Sequence, residues 1–115
     1  MTRLTLRIDF DDSRAVGPGK IRLLEEIGAS GSISAAGRAL GMSYRRAWML
    51  VDALNQTFRD PVVETRGGGV GGGGASLTPF GASLVTDYRA MEQEARTALA
   101  RRLNRLERAL APAPR

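Results

Sequence analysis

The chain has 115 residues, 43% of them hydrophobic and 25% charged, an ordinary globular balance for one compact domain. It contains no cysteine and no histidine, which excludes disulfides, Cys/His zinc sites, thiol nucleophiles and histidine general bases. The net charge of +5 and a pI near 10.9 favour polyanionic partners such as nucleic acid. Lys20 is the single lysine beside sixteen arginines, so part of that excess can reflect base composition of the coding sequence, and distribution carries more information than the total. Between Glu26 and Asp52 there is no acidic residue, whereas Arg38, Arg45 and Arg46 lie there.

In chain order, residues 2–10 alternate: Leu4, Leu6, Ile8 and Phe10 at even positions, Arg3, Thr5, Arg7 and Asp9 at odd ones. This predicts a half-buried strand with one face on a core, and no secretory signal. A loop with Asp11, Asp12 and Gly17-Pro18-Gly19 leads to a short helix over Lys20 to Gly28, with Ile21, Leu24 and Ile27 on one face. Gly28 and Gly31 end it. Ser32 is placed to cap a second helix carrying Ile33, Ala36 and Leu40, which Gly41 stops. Ser43 caps a third helix from Tyr44 to about Phe58, with Ala47, Val51, Leu54 and Phe58 buried. Two helices joined by so tight a glycine turn make a helix-turn-helix, a pattern that any three-helix bundle can also show.

Val62 to Arg66 and Ala75 to Leu77 read as paired strands around Gly67-Gly68-Gly69-Val70-Gly71-Gly72-Gly73-Gly74, which holds seven of the fourteen glycines. Thr78-Pro79 is an N-cap followed by proline at the first helical position. The last helix runs to roughly Leu110, where Pro112 and Pro114 stop it, with an apolar stripe through Phe80, Leu84, Tyr88, Met91, Ala95, Leu99, Leu103, Leu106 and Leu110. A helix about 45 Å long exceeds what so small a domain can cover, so a homodimer is expected; the alternative is a helix that folds back on its own domain. The predicted fold is mainly α with a small antiparallel β wing. A winged helix-turn-helix DNA-binding domain spans 1–78 (wing 62–78), a long dimerisation helix 79–110 and a tail 111–115.

The start of the third helix carries the candidate chemistry. Ser43, Tyr44, Arg45 and Arg46 occupy its first turn, where positive charge opposes the helix dipole by about 0.3–1 kcal/mol per group. Presenting that end to DNA removes the conflict. Tyr44 and Arg45 are assigned to bases, Ser43 and Arg46 to phosphate; the plain alternative is two solvated arginines. Trp48 is either a half-buried packing residue or a contact to a thymine methyl or the backbone. The glycine run lacks the Gly-Lys-Ser/Thr ending of a phosphate-binding loop, and the segments flanking it argue against a linker. It is expected to be a wing along the DNA backbone, with Arg66 at its base. The full DNA-binding set is Ser32, Ser34, Arg38, Ser43, Tyr44, Arg45, Arg46, Trp48, Arg66, Gly71, Gly72 and Thr78. Asp11-Asp12, Glu25-Glu26 and Glu92 with Glu94 have no accompanying base, nucleophile or ligand cluster, and are read as solvated charge. No enzymatic activity, cofactor or metal is expected.

The runs Gly31-Ser32-Ile33-Ser34-Ala35-Ala36, Gly41-Met42-Ser43-Tyr44-Arg45-Arg46-Ala47-Trp48 and Gly71 through Gly81 resemble the DNA-binding domain of the ModE family, molybdate-dependent transcriptional regulators with a LysR-type winged helix-turn-helix. The resemblance covers nearly the whole chain and implies a homodimer on a palindromic operator of double-stranded DNA near molybdenum-uptake genes. Full-length members carry C-terminal molybdate-binding domains, whereas this sequence stops at Arg115. No residue is therefore assigned to molybdate, and three alternatives stay open: a separate molybdate-sensing protein as partner, regulation without direct effector binding, or a sequence that is a piece of a longer chain. The location implied is cytoplasmic, with no membrane partner. Two other functions compete: a protein-interaction module that pairs through its long helix with a full-length regulator, and a small nucleotide-binding enzyme built on the glycine loop, which the missing lysine disfavours.

Overall fold

A computed structural model describes residues 2–67 and 74–114. Its elements in order are β1 (Ile8–Asp9), β2 (Ala15–Val16), α1 (Pro18–Ser30), α2 (Ile33–Ala39), α3 (Tyr44–Thr57), β3 (Val63–Thr65), β4 (Ala75–Leu77) and α4 (Pro79–Arg108). The mainly helical class, the helix-turn-helix, the antiparallel β3–β4 pair and the long last helix all match the sequence expectation. Val63 faces Leu77, Glu64 faces Ser76 and Thr65 faces Ala75.

Local chemistry sets most boundaries. The Ser32, Ser43 and Thr78 hydroxyls accept from the N–H groups of Ala35, Arg46 and Gly81, so each of the last three helices begins on a side-chain cap. Gly31 and Gly41 take φ values of 73° and 70°, the left-handed region that glycine enters at little cost. α1 is longer than expected because Pro18 provides a preset first position and Gly28 is tolerated within the helix.

The core is built where α1, α2, α3, the wing strands and the first turns of α4 meet. Ile21, Leu23, Leu24, Ile27, Leu54, Val62 and Tyr88 are fully buried there. α4 contributes only its start: Leu84 and Tyr88 are buried, while Leu99 is 39%, Leu106 66% and Leu110 71% exposed.

The first strand departs from expectation. The alternation survives as burial, with Leu4, Leu6 and Ile8 half-buried and Arg3, Thr5 and Arg7 exposed. Backbone pairing is limited to Ile8 with Val16 and Asp9 with Ala15. β2 has only two residues before the Gly17-Pro18 helix start, so residues 2–7 have no ladder partner. Tyr88 instead anchors the arm, its Oη donating to the Leu6 carbonyl at 2.6 Å. Phe10 is 50% exposed and meets the ring of Phe58 edge-on at 5.6 Å.

Two further assignments are corrected. Glu25 and Glu92 are not simply solvated: Arg89 donates to both Glu25 carboxylate oxygens, at 2.7 and 3.0 Å, and to Glu92 at 2.6 Å, tying α4 to α1. The Arg89 hydrogen bonds lower the Glu25 pKa from its ordinary 4.5. Asp11 accepts from the Arg14 guanidinium and from the N–H groups of Ser13 and Arg14, which lowers its pKa to about 2 and closes the β1–β2 turn.

Candidate nucleic-acid interface

The helix-turn-helix is held by a close approach. A methyl added to Gly37 in α2 would stand 3.0 Å from the Ala47 Cβ, so small residues at both positions let α2 and α3 cross tightly. Between them the Met42 N–H bonds the Gly37 carbonyl at 2.9 Å and the Gly41 N–H bonds that of Arg38 at 3.1 Å, satisfying the end of α2. This turn fixes where the amino end of α3 points.

That end is basic and open. Tyr44 is 61% exposed, Ser43, Arg45 and Arg46 are exposed, and α3 has no acidic residue in its first turn. Among the described residues the ion pairs involve Arg7, Arg14 and Arg89, and none involves Arg38, Arg45, Arg46 or Arg66. Their charge is left for an external anion. Lys20 is engaged elsewhere: its Nζ donates to the Ala15 carbonyl at 2.9 Å, and burial together with the Arg7 charge lowers its pKa.

Ser32, Ser34, Tyr44, Trp48 and Arg66 line one cleft, whose floor includes Ile33 and Ala75 and whose far wall is the base of the wing. Residues from three separate segments of the sequence thus converge. Arg38 stands beside it, its Nη1 donating to the Ser34 Oγ at 3.2 Å. The Arg66 N–H pairs with the Gly74 carbonyl at 2.8 Å, fixing the root of the wing. Trp48 lies outside the core, 38% exposed, its ring edge-to-face with Tyr44 at 6.2 Å. Together they form a ridge between this cleft and a shallower concavity lined by Arg45, Met49 and Asp52.

Thr78 does not belong to this surface. It is 5% exposed, and its hydroxyl donates to the Pro61 carbonyl at 2.7 Å while accepting from the Gly81 N–H at 2.9 Å. The oxygen is consumed in capping α4 and tying it to the chain before β3, so no atom of it is free for DNA. Gly71 and Gly72 lie outside the described residues.

Sequence reasoning missed two features. Met49, 61% exposed, lines one concavity with Tyr44, Arg45 and Trp48; its place four residues beyond Arg45, off the buried stripe, is the sequence signal for it. Asn55 clamps the wing to α3. Its Oδ1 accepts from the N–H groups of Val62 and Val63 at 2.7 and 3.0 Å, and its Nδ2 donates to the Val63 carbonyl at 3.1 Å. Nothing in local spacing marks that contact.

The pattern of the "bacterial regulatory helix-turn-helix protein, lysR family" matches residues 19–82, more than half of the chain. The chain is 40% identical over 101 residues to "Molybdenum transport protein ModE" of Azotobacter vinelandii, covering 88% of this chain and 37% of that protein. It is 42% identical over 90 residues to "DNA-binding transcriptional dual regulator ModE" of Escherichia coli (strain K12), covering 78% and 34%. Against "Molybdenum-pterin-binding protein MopB" of Rhodobacter capsulatus it is 48% identical over 77 residues, covering 67% and 28%. The matched regions span about a third of the length of these relatives. No described helix is long and apolar enough to cross a membrane. The chain belongs to the lysR family of bacterial regulatory helix-turn-helix proteins.

Proposed function

We propose that the protein regulates transcription as a homodimer on a palindromic operator, in molybdenum homeostasis. Residues 1–78 bind the duplex, the segment 79–110, most of it α4, joins the two copies, and residues 111–115 follow as a tail. The amino end of α3 enters the major groove, with Tyr44 and Arg45 toward base edges and Ser43 and Arg46 toward phosphate. Arg38 and Arg66 neutralise backbone phosphates on either side, Ser32 and Ser34 stand at the cleft beneath, and the wing rooted at Arg66 faces the flanking strand. The observation that carries this is the open first turn of α3, basic and without an ion pair among the described residues, beside a cleft shared by α2 and the wing root. The link to molybdenum rests on the names of the relatives, and a separate molybdate-sensing protein would supply the effector response.

Dimerisation is supported by the uncovered distal stripe of α4, where Leu99 and Leu106 are exposed. Paired helices would set two α3 ends about 34 Å apart, one turn of DNA. The same stripe also fits a second function, in which α4 pairs with a full-length regulator and modulates it. Sedimentation equilibrium of the purified chain, followed by duplex selection from a random pool, separates them. The dimer enriches a palindrome; Arg45→Ala then relaxes preference at one position per half-site, and Arg66→Ala weakens all sequences alike. A monomer that enriches nothing removes the first function and leaves the second.

A further inference from the structure

The outer face of α3 is unusually apolar for a surface flanked by arginines that make no ion pair among the described residues. Tyr44 and Met49 are each 61% exposed and Trp48 is 38% exposed; Met49 lies opposite the buried Ala47, Val51 and Leu54, and Tyr44 and Trp48 flank that buried stripe on one side. With Arg45 they line one open concavity, closed at its far end by Asp52, whose carboxylate accepts from the Gln56 amide at 3.0 Å. The edge-to-face contact with Tyr44 fixes the Trp48 ring without covering its outer surface. Exposed apolar side chains grouped in this way mark a binding surface. This one continues directly from the basic first turn of the helix, so its occupant must offer both negative charge and an apolar feature. Along the base edges of the major groove the one apolar group is the 5-methyl of thymine. Asp52 repels phosphate, which turns the patch toward the groove floor and away from the backbone.

We propose that Trp48 and Met49 are specificity-determining residues that read thymine through its methyl group, beside the base edge reached by Arg45. Each half-site of the operator then contains a thymine selected for its methyl and not for its hydrogen-bonding edge. This rests on the proposed orientation of α3 toward the duplex.

The test uses duplexes enriched by the full chain from a random pool and remade with each thymine replaced in turn by uracil, which keeps the hydrogen-bonding edge and lacks only the methyl. Fluorescence anisotropy at fixed salt measures affinity. The expected result is a position in each half-site where uracil weakens binding about fourfold per methyl removed. In Met49→Ala the thymine-to-uracil ratio at that position falls toward one, whereas Arg45→Ala binds more weakly and keeps the ratio. Met49 is well exposed, so its replacement leaves the core untouched; Trp48→Ala, checked for helicity, should behave as Met49→Ala does. Equal affinity for thymine and uracil at every position, or a ratio unchanged in Met49→Ala, overturns the inference and leaves the proposed function standing. Failure to bind any duplex overturns both.

Discussion

Gly81, in the first turn of α4, offers a test of how the wing is anchored. A methyl on its Cα would overlap the Val62 carbonyl oxygen and stand 3.0 Å from the Val62 carbonyl carbon and 3.2 Å from its Cγ1. The obstacle is backbone, so no side-chain rotation relieves it, and the chain before β3 must move away from α4. That same carbonyl accepts from the Thr78 N–H at 3.0 Å and from the Thr78 hydroxyl at 3.3 Å, bonds the movement would stretch. Forcing a methyl into a filled site costs about 1–3 kcal/mol and a weakened hydrogen bond about 1 kcal/mol. Replacing glycine by alanine within a helix returns about 1 kcal/mol. Gly81→Ala should therefore destabilise the protein by about 2 kcal/mol, lowering Tm by about 8 °C at fixed protein concentration. Gly19, within α1 and with nothing within 4 Å of an added methyl, is the matched control: Gly19→Ala should stabilise by about 0.5 kcal/mol. Thermal and urea unfolding followed by circular dichroism measures both. A Gly81→Ala protein as stable as the parent refutes the packing argument.

Tyr88→Phe removes the donor to the Leu6 carbonyl and should cost about 1 kcal/mol in urea unfolding while speeding amide exchange along the amino-terminal arm; unchanged exchange there would show that the arm is held by its leucines alone. Asn55→Ala leaves the Val62 and Val63 N–H groups without their acceptor, and should cost about 2 kcal/mol and weaken DNA binding by displacing the wing; a loss of stability with full DNA affinity contradicts the positioning role. The Arg89 guanidinium lowers the Glu25 pKa below its ordinary 4.5, so the stability from this pair is fully present above pH 4.5 and is lost as pH falls through the lowered value. With both side chains 39% exposed the effect stays under about 1 kcal/mol, and Glu25→Gln should flatten the acid limb of the stability profile measured by urea titration.

The elements that short-range chemistry decides were legible in the sequence. Ser32, Ser43 and Thr78-Pro79 announce helix starts through residues two or three positions away, and Gly31 and Gly41 announce stops because they must enter the left-handed region. The convergence of Ser32, Tyr44 and Arg66 on one cleft followed from the winged arrangement as a whole. What escaped depends on partners far along the chain. The Glu25–Arg89 pair spans 64 residues, and the Asn55 clamp joins a helix to a strand through an amide with no periodic signature. The amino-terminal alternation predicted the half-burial of Leu4, Leu6 and Ile8 but not the exposure of Phe10, and it overstated strand pairing, which is limited to Ile8 and Asp9, since period two reports which side chains face inward while a ladder also needs a neighbouring strand. Thr78 carries a hydroxyl suited equally to a phosphate or a helix cap, and only its burial decides between them.

The most direct test of α3 as a duplex-facing helix is the salt dependence of affinity for an enriched operator, measured by anisotropy for the parent chain and for Arg46→Ala. A protein that sets the arginines of this helix against phosphates loses affinity linearly on a log–log plot, and Arg46→Ala reduces the slope by about one. Affinity that is indifferent to salt, or absent even at low ionic strength, would contradict it.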